Sequence, residues 1–388
     1  MESIVQGGPV SRASIAKQTG LSKQTISEVM RQLEDEGWVQ EVGRTSGHVG
    51  RTAVTYELVP SAAYIVAVDL GGTKVRVAVC DLTSKVLAEV TESTHGDGGL
   101  AIVAQIARLA QEAALKGGVA RERLRIAVVG VPGAPQPETG TVSLAPNIAG
   151  FDTLNVAAAL EDALGSDVIL ENDVNLAVLG ESWLGAGQGL DNLVFIALGT
   201  GVGSGLMLNG QLVRGASNAA GELGFLPLGA DPFEPESLRA GAFERVVASW
   251  GMVARYQALS GTTAAVPVIF QKANAGEADA AAVLDETARL LACGIGAIAA
   301  VTNPGKVILG GSIGSRSELV ERVRAALPQC FPYPVTVEAS ELGSHAALVG
   351  AAAIGLSHLH NTLFGTDIPA SRISLPPANA VSMREALR

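Results

Sequence analysis

Residues 69–74, Asp-Leu-Gly-Gly-Thr-Lys, place a carboxylate, two glycines, a hydroxyl and a cation on one tight turn. Apolar runs on both sides predict that this turn joins two β-strands. The glycines let backbone N–H groups approach an anion, because no side chain blocks them. Asp69 is suited to Mg²⁺ or to its bound water. The turn is therefore predicted to be a phosphate clamp on a hairpin, with an ordinary Gly-Gly turn as the alternative. The predicted clamp residues are Asp69, Gly71, Gly72, Thr73 and Lys74.

A second glycine-rich turn, Gly-Thr-Gly-Val-Gly-Ser-Gly at 199–205, follows the apolar strand predicted at 193–198. It repeats the strand–turn–strand order of the first turn, so the sequence predicts a duplicated lobe with nucleotide between the two copies. A later buried strand, 306–309, ends in two more glycines. The phosphate-binding residues predicted for this half are Gly199, Thr200, Gly201, Gly203, Gly310 and Gly311.

Residues 11–36 have the pattern of a helix-turn-helix. Ser11 and Ser22 can each cap a helix, and Gly20 breaks the chain between the two helices. Ile26, Val29, Met30 and Leu33 form the apolar face of the second helix. A basic, glycine-containing wing at 43–51 follows, between two predicted strands. The predicted DNA contacts are Arg12, Lys23, Gln24, Thr25, Ser27, Arg31, Arg44 and Arg51. A helical appendage used for dimer packing is the alternative.

Composition limits the class of protein that must position these residues. The 388 residues are 48% hydrophobic with 46 glycines, which predicts an α/β protein of two or three domains. A net charge of -11 argues against nonspecific nucleic-acid binding by the whole surface. No apolar run reaches the roughly 18 residues that span a bilayer. The three cysteines are isolated in sequence, and we expect a cytoplasmic protein without a membrane partner.

The remaining pattern alternates helices and strands. It predicts a strand at 124–130, a strand at 167–170 that delivers Glu171-Asn172-Asp173 at its carboxyl end, and a strand at 206–208. Helices are predicted at 100–117, 154–164, 174–184, 280–300 and 345–359.

These motifs together resemble the ROK family (repressors, open reading frames and sugar kinases), over roughly residues 9–362. The resemblance rests on DLGGTK at 69–74, PN at 146–147, ENDVN at 171–175, GTGVGSG at 199–205, GELG at 221–224 and ILGG at 308–311. It implies an α/β fold of two lobes, actin/hexokinase-like and built from duplicated ribonuclease H-like halves. A small α+β winged helix-turn-helix domain would precede it.

The resemblance also implies roles for individual residues. Asp173 would be the catalytic base, and the two glycine turns would hold the phosphates of Mg-ATP. The implied sugar-binding residues are Asn147, Asn172, Asp173, Glu222 and Glu244. An Asp at a strand end could accept a proton from a sugar hydroxyl that attacks a γ-phosphate. Alternatively, Asp173 only caps the following helix, Asn147 is a turn residue, and Glu222 is an exposed loop charge.

One departure from the family pattern is large. Members usually carry a His after the GE-x-G motif and a CxCGxxGC cluster that together bind structural zinc. Here the His position is Phe225, and no cysteine lies between Cys80 and Cys293. We therefore expect no structural zinc, because a zinc site needs about four nitrogen or sulfur ligands. The loop 227–241 must then be ordered by packing.

The sequence predicts domains at 1–60 (winged helix-turn-helix) and 61–365 (two-lobed sugar and nucleotide domain), with a tail at 366–388. The favoured function is a sugar-responsive transcription regulator of the repressor type that binds a sugar or sugar phosphate in the interlobe cleft. Its partners would be palindromic operator DNA, a sugar effector and its own copies in a homodimer or homotetramer. The alternative functions are an ATP-dependent kinase of a hexose or amino sugar, and a scaffold with a vestigial clamp.

Overall fold

The computed structural model describes residues 3–4, 9–46, 52–144 and 148–364. The chain divides into two compact units. Unit 1 comprises the described residues up to Val129, together with Ile148–Leu170 and those from Ala351 onward. Unit 2 comprises the described residues between Gly130 and Asn147, together with Glu171–Gly350. The predicted tail, 366–388, lies outside the described residues.

The N-terminal part of unit 1 is a helix-turn-helix followed by a β-hairpin. The Ser11 hydroxyl accepts from the Ser14 N–H, Gly20 ends the first helix with a φ of 73°, and the Ser22 hydroxyl accepts from the Thr25 N–H. Three strands form a sheet in the order β1-β3-β2. The elements are β1 (Val10–Ser11), α1 (Arg12–Thr19), α2 (Lys23–Asp35), β2 (Val39–Ser46) and β3 (Thr52–Leu58).

A five-stranded sheet forms the centre of unit 1, in the order β10-β7-β4-β5-β6. A 3₁₀ turn at Pro60–Ala62 leads into it, and β4, β5 and β6 pair antiparallel. Its strands are β4 (Tyr64–Leu70), β5 (Lys74–Asp81), β6 (Val86–Ser93), β7 (Leu124–Val131) and β10 (Asp167–Asn172). The associated elements are α3 (Gly99–Lys116), a 3₁₀ turn at Arg121–Arg123, α4 (Val156–Leu164), and the small pair β8 (Ala134–Pro135) and β9 (Val142–Ser143).

Unit 2 is built on a second five-stranded sheet, in the order β13-β12-β11-β14-β15. Its strands are β11 (Leu193–Leu198), β12 (Val202–Leu208), β13 (Gln211–Leu212), β14 (Lys306–Gly310) and β15 (Thr336–Ala339). Its helices are α5 (Asp173–Leu184), α6 (Pro235–Ala240), α7 (Glu244–Val247), α8 (Ser249–Ser260), α9 (Val266–Asn274), α10 (Ala278–Thr302), α11 (Gly311–Gly314) and α12 (Ser317–Cys330). Short 3₁₀ turns lie at Leu223–Phe225 and Gly343–His345, and α13 (Ala346–Phe364) closes the described chain.

The two sheets have the same connectivity. In each, the first three strands form an antiparallel meander, and the fourth and fifth strands are added on the free side of the first. In unit 2 the added strands, β14 and β15, run parallel to β11. The predicted internal duplication and the two-lobed α/β fold class are therefore confirmed.

Two local predictions are wrong. Residues 202–205 belong to strand β12, so the second glycine turn is only 199–201. A side chain at Gly205 would place its Cβ 2.3 Å from the Val174 carbonyl oxygen, which shows that this glycine serves the packing of β12 on α5. On α2, Ile26 and Met30 are buried, but Val29 is 45% exposed. The helical spacing of apolar residues overestimates the buried face because α2 contacts its neighbours along a narrow stripe.

Candidate functional site

Glu222 and Glu244 lie close together in unit 2. Glu222 directly precedes the 3₁₀ turn at Leu223–Phe225, and Glu244 begins α7. Burial raises the pKa of both carboxyls, and the charge of Glu244 raises that of Glu222 further. The Val202 N–H donates to Glu244 Oε2 over 2.8 Å, which holds this carboxylate against the second glycine turn. The fold therefore brings together two of the predicted sugar-binding residues as an acidic pair.

Gly201 and Gly224 leave the space that the Glu244 side chain fills. A Cβ on Gly201 would lie 2.7 Å from Glu244 Oε2, and one on Gly224 would lie 3.3 Å from Glu244 Cβ. A longer side chain at Gly201 would displace the Glu244 carboxylate. Gly201 is therefore required to make room for the Glu244 carboxylate. This role is independent of any contact between the turn and an anion.

Asn172 is the N-cap of α5. Its Oδ1 accepts from the N–H groups of Val174 and Asn175, and its Nδ2 donates to the Gly133 carbonyl over 2.8 Å. Both ends of the amide are therefore bonded within unit 2, and the side chain is 8% exposed. Capping uses the acceptor positions of Oδ1, whereas Nδ2 has a second N–H to donate, so the sugar contact of Asn172 stays a prediction.

Asp173 is the first residue of α5 and is half-buried. Its Oδ1 accepts from the Val174 N–H over 2.9 Å, a short local bond that fixes the carboxylate at the helix N-terminus. Asn172 acts as the cap, so capping alone does not account for an acid at this position. The positive end of the helix dipole favours a charged carboxylate here.

Glu171 and Arg214 form an ion pair that the sequence does not predict. Arg214 Nε lies 2.7 Å from Glu171 Oε2, and Asn175 Nδ2 donates to Glu171 Oε1. The Glu171 side chain is 6% exposed and the Arg214 side chain 38%. A carboxylate this deeply buried needs a partner. The acid could be suspected from its strand-end position, but nothing in the spacing identifies a cation 43 residues later.

The loop from Arg214 to Glu222 is held at several points. The Ala220 N–H donates to the Arg214 carbonyl, and both the N–H and the hydroxyl of Ser204 donate to the Gly221 carbonyl. Asn218 Nδ2 donates to the Pro135 carbonyl over 2.8 Å. The loop therefore fixes Glu222 relative to β12 and to α5. Asn147, the remaining predicted sugar-binding residue, lies outside the described residues.

The loop that carries zinc ligands in the family pattern is held here by Arg245. Its Nη1 donates to Glu234 Oε2 over 2.5 Å and to Ser237 Oγ over 2.7 Å, and Ser237 is buried. Phe225, at the position of the family's His, is 41% exposed. Within residues 3–4, 9–46, 52–144 and 148–364, no group of three or more His, Cys, Asp or Glu side chains is arranged to hold a metal ion.

In unit 1 the first glycine turn forms the tip of the β4–β5 hairpin. Gly72, Thr73 and Lys74 are exposed, which leaves the tip open to an anion. Thr94 braces it, since its hydroxyl donates to the Gly71 carbonyl and its N–H to the Thr73 carbonyl. Asp69 accepts from Arg76 Nη1 over 3.1 Å, with both side chains largely buried. The Asp69 carboxylate therefore already faces a cation, which makes it a poorer Mg²⁺ ligand than its sequence context suggests.

At three other positions that are predicted to bind phosphate, glycine is required because another chain segment packs closely against it. A Cβ on Gly310 would lie 2.1 Å from the Phe195 ring, and one on Gly311 would lie 2.3 Å from the Leu198 carbonyl oxygen. A Cβ on Gly203 would lie 3.0 Å from Val174. At the turn itself, Thr200 is exposed and the Gly199 N–H donates to the Gly201 carbonyl. Thr200, in the turn 199–201, is the most exposed residue of the segment 199–205.

Helix α2 presents a polar face. Every DNA-contact residue predicted on it is exposed, namely Lys23, Gln24, Thr25, Ser27 and Arg31. Arg12, on α1, has a different environment. Its guanidinium lies 4.8 Å from the centre of the Tyr56 ring and donates to Glu34 over 3.0 Å, so it ties α1 to α2 and β3. The sequence predicts Arg12 as a DNA contact, whereas its guanidinium is engaged in contacts within the helix-turn-helix segment. Arg44 lies on strand β2, and Arg51 lies outside the described residues.

A 3₁₀ turn connects this N-terminal helix-turn-helix segment to the sheet of unit 1. The Leu82 N–H donates to the Pro60 carbonyl, and Arg123 Nη1 donates to the Ser61 carbonyl over 2.7 Å. The Val59 N–H donates to the Trp38 carbonyl on the other side. The connection is therefore bonded at both ends. Among the described residues, no helix combines the length and the apolar character needed to cross a bilayer.

Comparison with known proteins gives two matches along the chain. Residues 1–40 match a winged helix-turn-helix DNA-binding family, and residues 65–357 match the ROK family. The xylose repressor of Caldicellulosiruptor bescii is 24% identical over 379 residues, covering 92% of this chain and 94% of the repressor. The DNA-binding transcriptional dual regulator NagC of Escherichia coli is 27% identical over 374 residues, covering 90% of this chain and 89% of NagC.

Relatives that are named as sugar kinases match a smaller share of the chain. A glucokinase of Thermotoga maritima is 30% identical and covers 75% of this chain and 96% of its own length. The crystal structure of a ROK hexokinase from Thermus thermophilus superposes with a TM-score of 0.66 at 28% identity, over 77% of this chain and 99% of the hexokinase. A ROK transcriptional regulator structure shares the fold with a TM-score of 0.72 over 90% of this chain. The chain belongs to the ROK family.

Proposed function

We propose that this protein is a sugar-responsive DNA-binding transcription regulator of the ROK type, acting as a repressor. The observation that carries the proposal is the exposed polar face of α2 in a winged helix-turn-helix, on a chain that aligns with repressors over nine-tenths of its length. A sugar kinase does not need such a helix. The proposed domain boundaries remain 1–60, 61–365 and 366–388.

Operator binding would use α2 in a major groove. One short helix reads only a few base pairs, so a homodimer or homotetramer on a palindromic site is expected. Lys23 and Arg31 would contribute phosphate contacts, and Gln24, Thr25 and Ser27 would face base edges. Wing residues Arg44 and Arg51 are proposed to add contacts.

The effector would be a sugar or sugar phosphate held by Asp173, Glu222 and Glu244, with Asn147 as a further candidate. Carboxylates are strong acceptors for the hydroxyl groups of a sugar ring, and a pair of them fixes its orientation. Burial disfavours the charged forms of Glu222 and Glu244, and their pKa values are raised for this reason. Hydrogen bonds donated by the hydroxyl groups of a bound sugar would stabilise the charged carboxylates. The relatives named for xylose and N-acetylglucosamine repression support this class of effector.

The test is a two-part titration of the purified full chain. Thermal unfolding is measured against xylose, glucose, N-acetylglucosamine and their 6-phosphates where these exist, because a ligand that binds only the folded state raises its melting temperature. Affinity for genomic fragments flanking its own gene is then measured with and without each stabilising sugar. We expect at least one sugar to stabilise the protein and to change DNA affinity. DNA binding that no stabilising sugar alters would contradict the effector proposal.

An ATP-dependent sugar kinase is the second candidate, favoured by the open hairpin tip at Gly72–Lys74 and by Asp173 at the N-terminus of α5. Thr73 and Lys74 of unit 1 would hold phosphate of Mg-ATP, which would supply the phosphoryl group, and the turn 199–201 of unit 2 is proposed separately as a phosphate-binding turn. Asp173 would accept the proton of the attacking hydroxyl. The ion pair of Asp69 with Arg76 argues against Asp69 as a strong metal ligand. A protein that binds neither DNA nor nucleotide would be the scaffold of the third hypothesis.

A further inference from the structure

The fold brings together two of the three cysteines. Cys293 lies on α10 and Cys330 is the last residue of α12, and both are exposed. Cys80, in β5, is buried, and burial raises its pKa to about 12. The three cysteines are isolated in the sequence, and Cys293 and Cys330 are separated by more than thirty residues. They meet only because α10 and α12 pack against each other in unit 2.

The end of α12 packs closely against α10 beside the two cysteines. Gly296 lies one helical turn after Cys293, on the same side of α10. A Cβ on Gly296 would lie 3.4 Å from the Cβ of Phe331, which follows Cys330 directly. The close backbone approach at Gly296 therefore sets the end of α12 against the turn of α10 that carries Cys293. The Cys330 thiol lies 3.5 Å from the Leu327 carbonyl oxygen, at the end of α12 that this contact places beside α10.

We propose that Cys293 and Cys330 form a dithiol site that is reversibly oxidised to an intramolecular disulfide by small disulfides of the glutathione type. A disulfide needs its two cysteines on backbone segments that approach closely, and the contact of Gly296 with Phe331 supplies such an approach between the segments that carry these two exposed thiols. The third cysteine cannot compete, because its thiol is enclosed in the sheet of unit 1. This site is separate from the sugar-binding residues and does not depend on the proposed function.

The chemistry balances as two thiol–disulfide exchanges. The Cys293 thiolate attacks one sulfur of oxidised glutathione, which breaks the glutathione S–S bond and releases one glutathione thiolate. Cys330 then loses its proton and attacks the Cys293 sulfur of the mixed disulfide, releasing the second glutathione. Burial and the neighbouring thiol raise the pKa of Cys330, which lowers its thiolate fraction and leaves the first, bimolecular step to Cys293. Two protein thiols are oxidised and one glutathione disulfide is reduced to two thiols.

The product would covalently join α10 to α12 and enclose β14 and α11 in a loop. Closing such a loop lowers the conformational entropy of the unfolded chain, so the oxidised protein should unfold at a higher temperature.

The test is mass spectrometry of the full chain after incubation with oxidised glutathione. The wild-type protein is expected to lose two hydrogen atoms, to keep one alkylatable thiol (Cys80, reached only after unfolding), and to remain a single chain on a non-reducing gel. Dithiothreitol should restore all three thiols. The variants Cys293→Ser and Cys330→Ser should instead retain a glutathione adduct on the remaining surface cysteine, because the second step is blocked.

Other outcomes overturn the proposal. A stable glutathione adduct on the wild-type chain would mean that the thiols do not reach each other. A disulfide between two chains, or no reaction at all, would equally rule out an intramolecular dithiol site. Peptide mapping of the oxidised wild type supplies the positive identification, since the peptides containing Cys293 and Cys330 should be recovered joined.

Discussion

Arg214 Nε donates to the buried Glu171 carboxylate over 2.7 Å, and this bond connects the loop leading to Glu222 with the strand end that carries Asp173. Two candidate sugar-binding residues are thereby positioned by the pair of Glu171 and Arg214. Removing the cation leaves a carboxylate without its main partner in a position where water is largely excluded. The pair is therefore expected to matter for both stability and sugar affinity.

We predict that Arg214→Gln lowers the free energy of unfolding by about 2 kcal/mol, less than for a fully buried pair because the Arg214 side chain is 38% exposed. The double variant Glu171→Gln, Arg214→Gln should lose less stability than the sum of the two single variants, since it removes the unpaired charge. Urea unfolding of the four proteins measures this coupling. Strictly additive losses would show that the two side chains do not support each other in solution.

The acidic pair Glu222 and Glu244 predicts a specific pH dependence of stability. Because both folded-state pKa values are raised, the protonated forms favour the folded state, and this contribution is lost as pH rises from about 4.3, the ordinary value for Glu, through the folded-state values. We expect Glu222→Gln to be more stable than wild type at pH 8 and to lose that advantage toward pH 4. The variant should also bind its sugar more weakly. Thermal unfolding across pH 4–8 measures the difference.

Glu236→Gln is the matched control for the acidic pair. The bond from Arg239 lowers the pKa of Glu236, so its contribution has the opposite sign and is lost as pH falls. This variant should gain no stability at pH 8. If Glu222→Gln and Glu236→Gln behave alike, the raised pKa of Glu222 is not what governs stability in this range.

Lys23 at the start of α2 is exposed and should contact operator phosphate. We predict that Lys23→Ala weakens binding to all sequences and reduces the slope of log K against log salt by about one for each bound copy. Lys116→Ala, which removes an exposed lysine from α3 paired with Glu112, is the charge-matched control and should leave the slope unchanged. Titrations at several salt concentrations distinguish the two variants, and equal slopes would remove Lys23 from the interface.

The bonded connection at Pro60–Ala62 predicts how sugar and DNA binding communicate. Arg123 holds the Ser61 carbonyl, so Arg123→Ala should reduce the sugar-induced change in DNA affinity while leaving each separate affinity within about threefold. A tenfold effect of sugar on DNA corresponds to about 1.4 kcal/mol, comparable to one such hydrogen bond. Arg121→Ala is the control, because Arg121 bonds the end of α4. Unchanged coupling in Arg123→Ala would show that this connection does not transmit the effect.

Much of the fold follows from local patterns in the sequence. The caps at Ser11 and Ser22, the αL glycine at position 20 and the exact span of β11 are set by nearby residues, and the structure has them as predicted. Glycine-rich motifs are less informative, because either a phosphate-binding turn or close packing can require a glycine. Gly203, Gly205 and Gly310 look like phosphate-turn residues, yet each is required because another chain segment packs against it.

Pairings across long sequence separations could not be predicted. Neither the ion pair of Glu171 with Arg214 nor the meeting of Cys293 with Cys330 leaves a signal in spacing, because each depends on how separate elements pack. The capping role of Asn172 could not be predicted for a different reason. Asn and Asp both suit a helix N-terminus, and the sequence does not tell which of two adjacent residues takes it.

The last prediction concerns the kinase alternative and Asp173. In Asp173→Asn the amide keeps an oxygen that can accept from the Val174 N–H, so α5 should be undisturbed and sugar binding largely retained. An amide cannot take up the proton of an attacking hydroxyl, and any ATP-dependent phosphorylation should fall about 10²- to 10⁴-fold. Calorimetry for sugar affinity and an ADP-release assay for turnover separate the two effects. Asp191→Asn, an exposed aspartate of the same unit, is the control and should behave like wild type in both assays. Full turnover by Asp173→Asn would refute its assignment as the base, whereas a wild-type protein that binds sugar but shows no turnover would leave regulation as the function of the site.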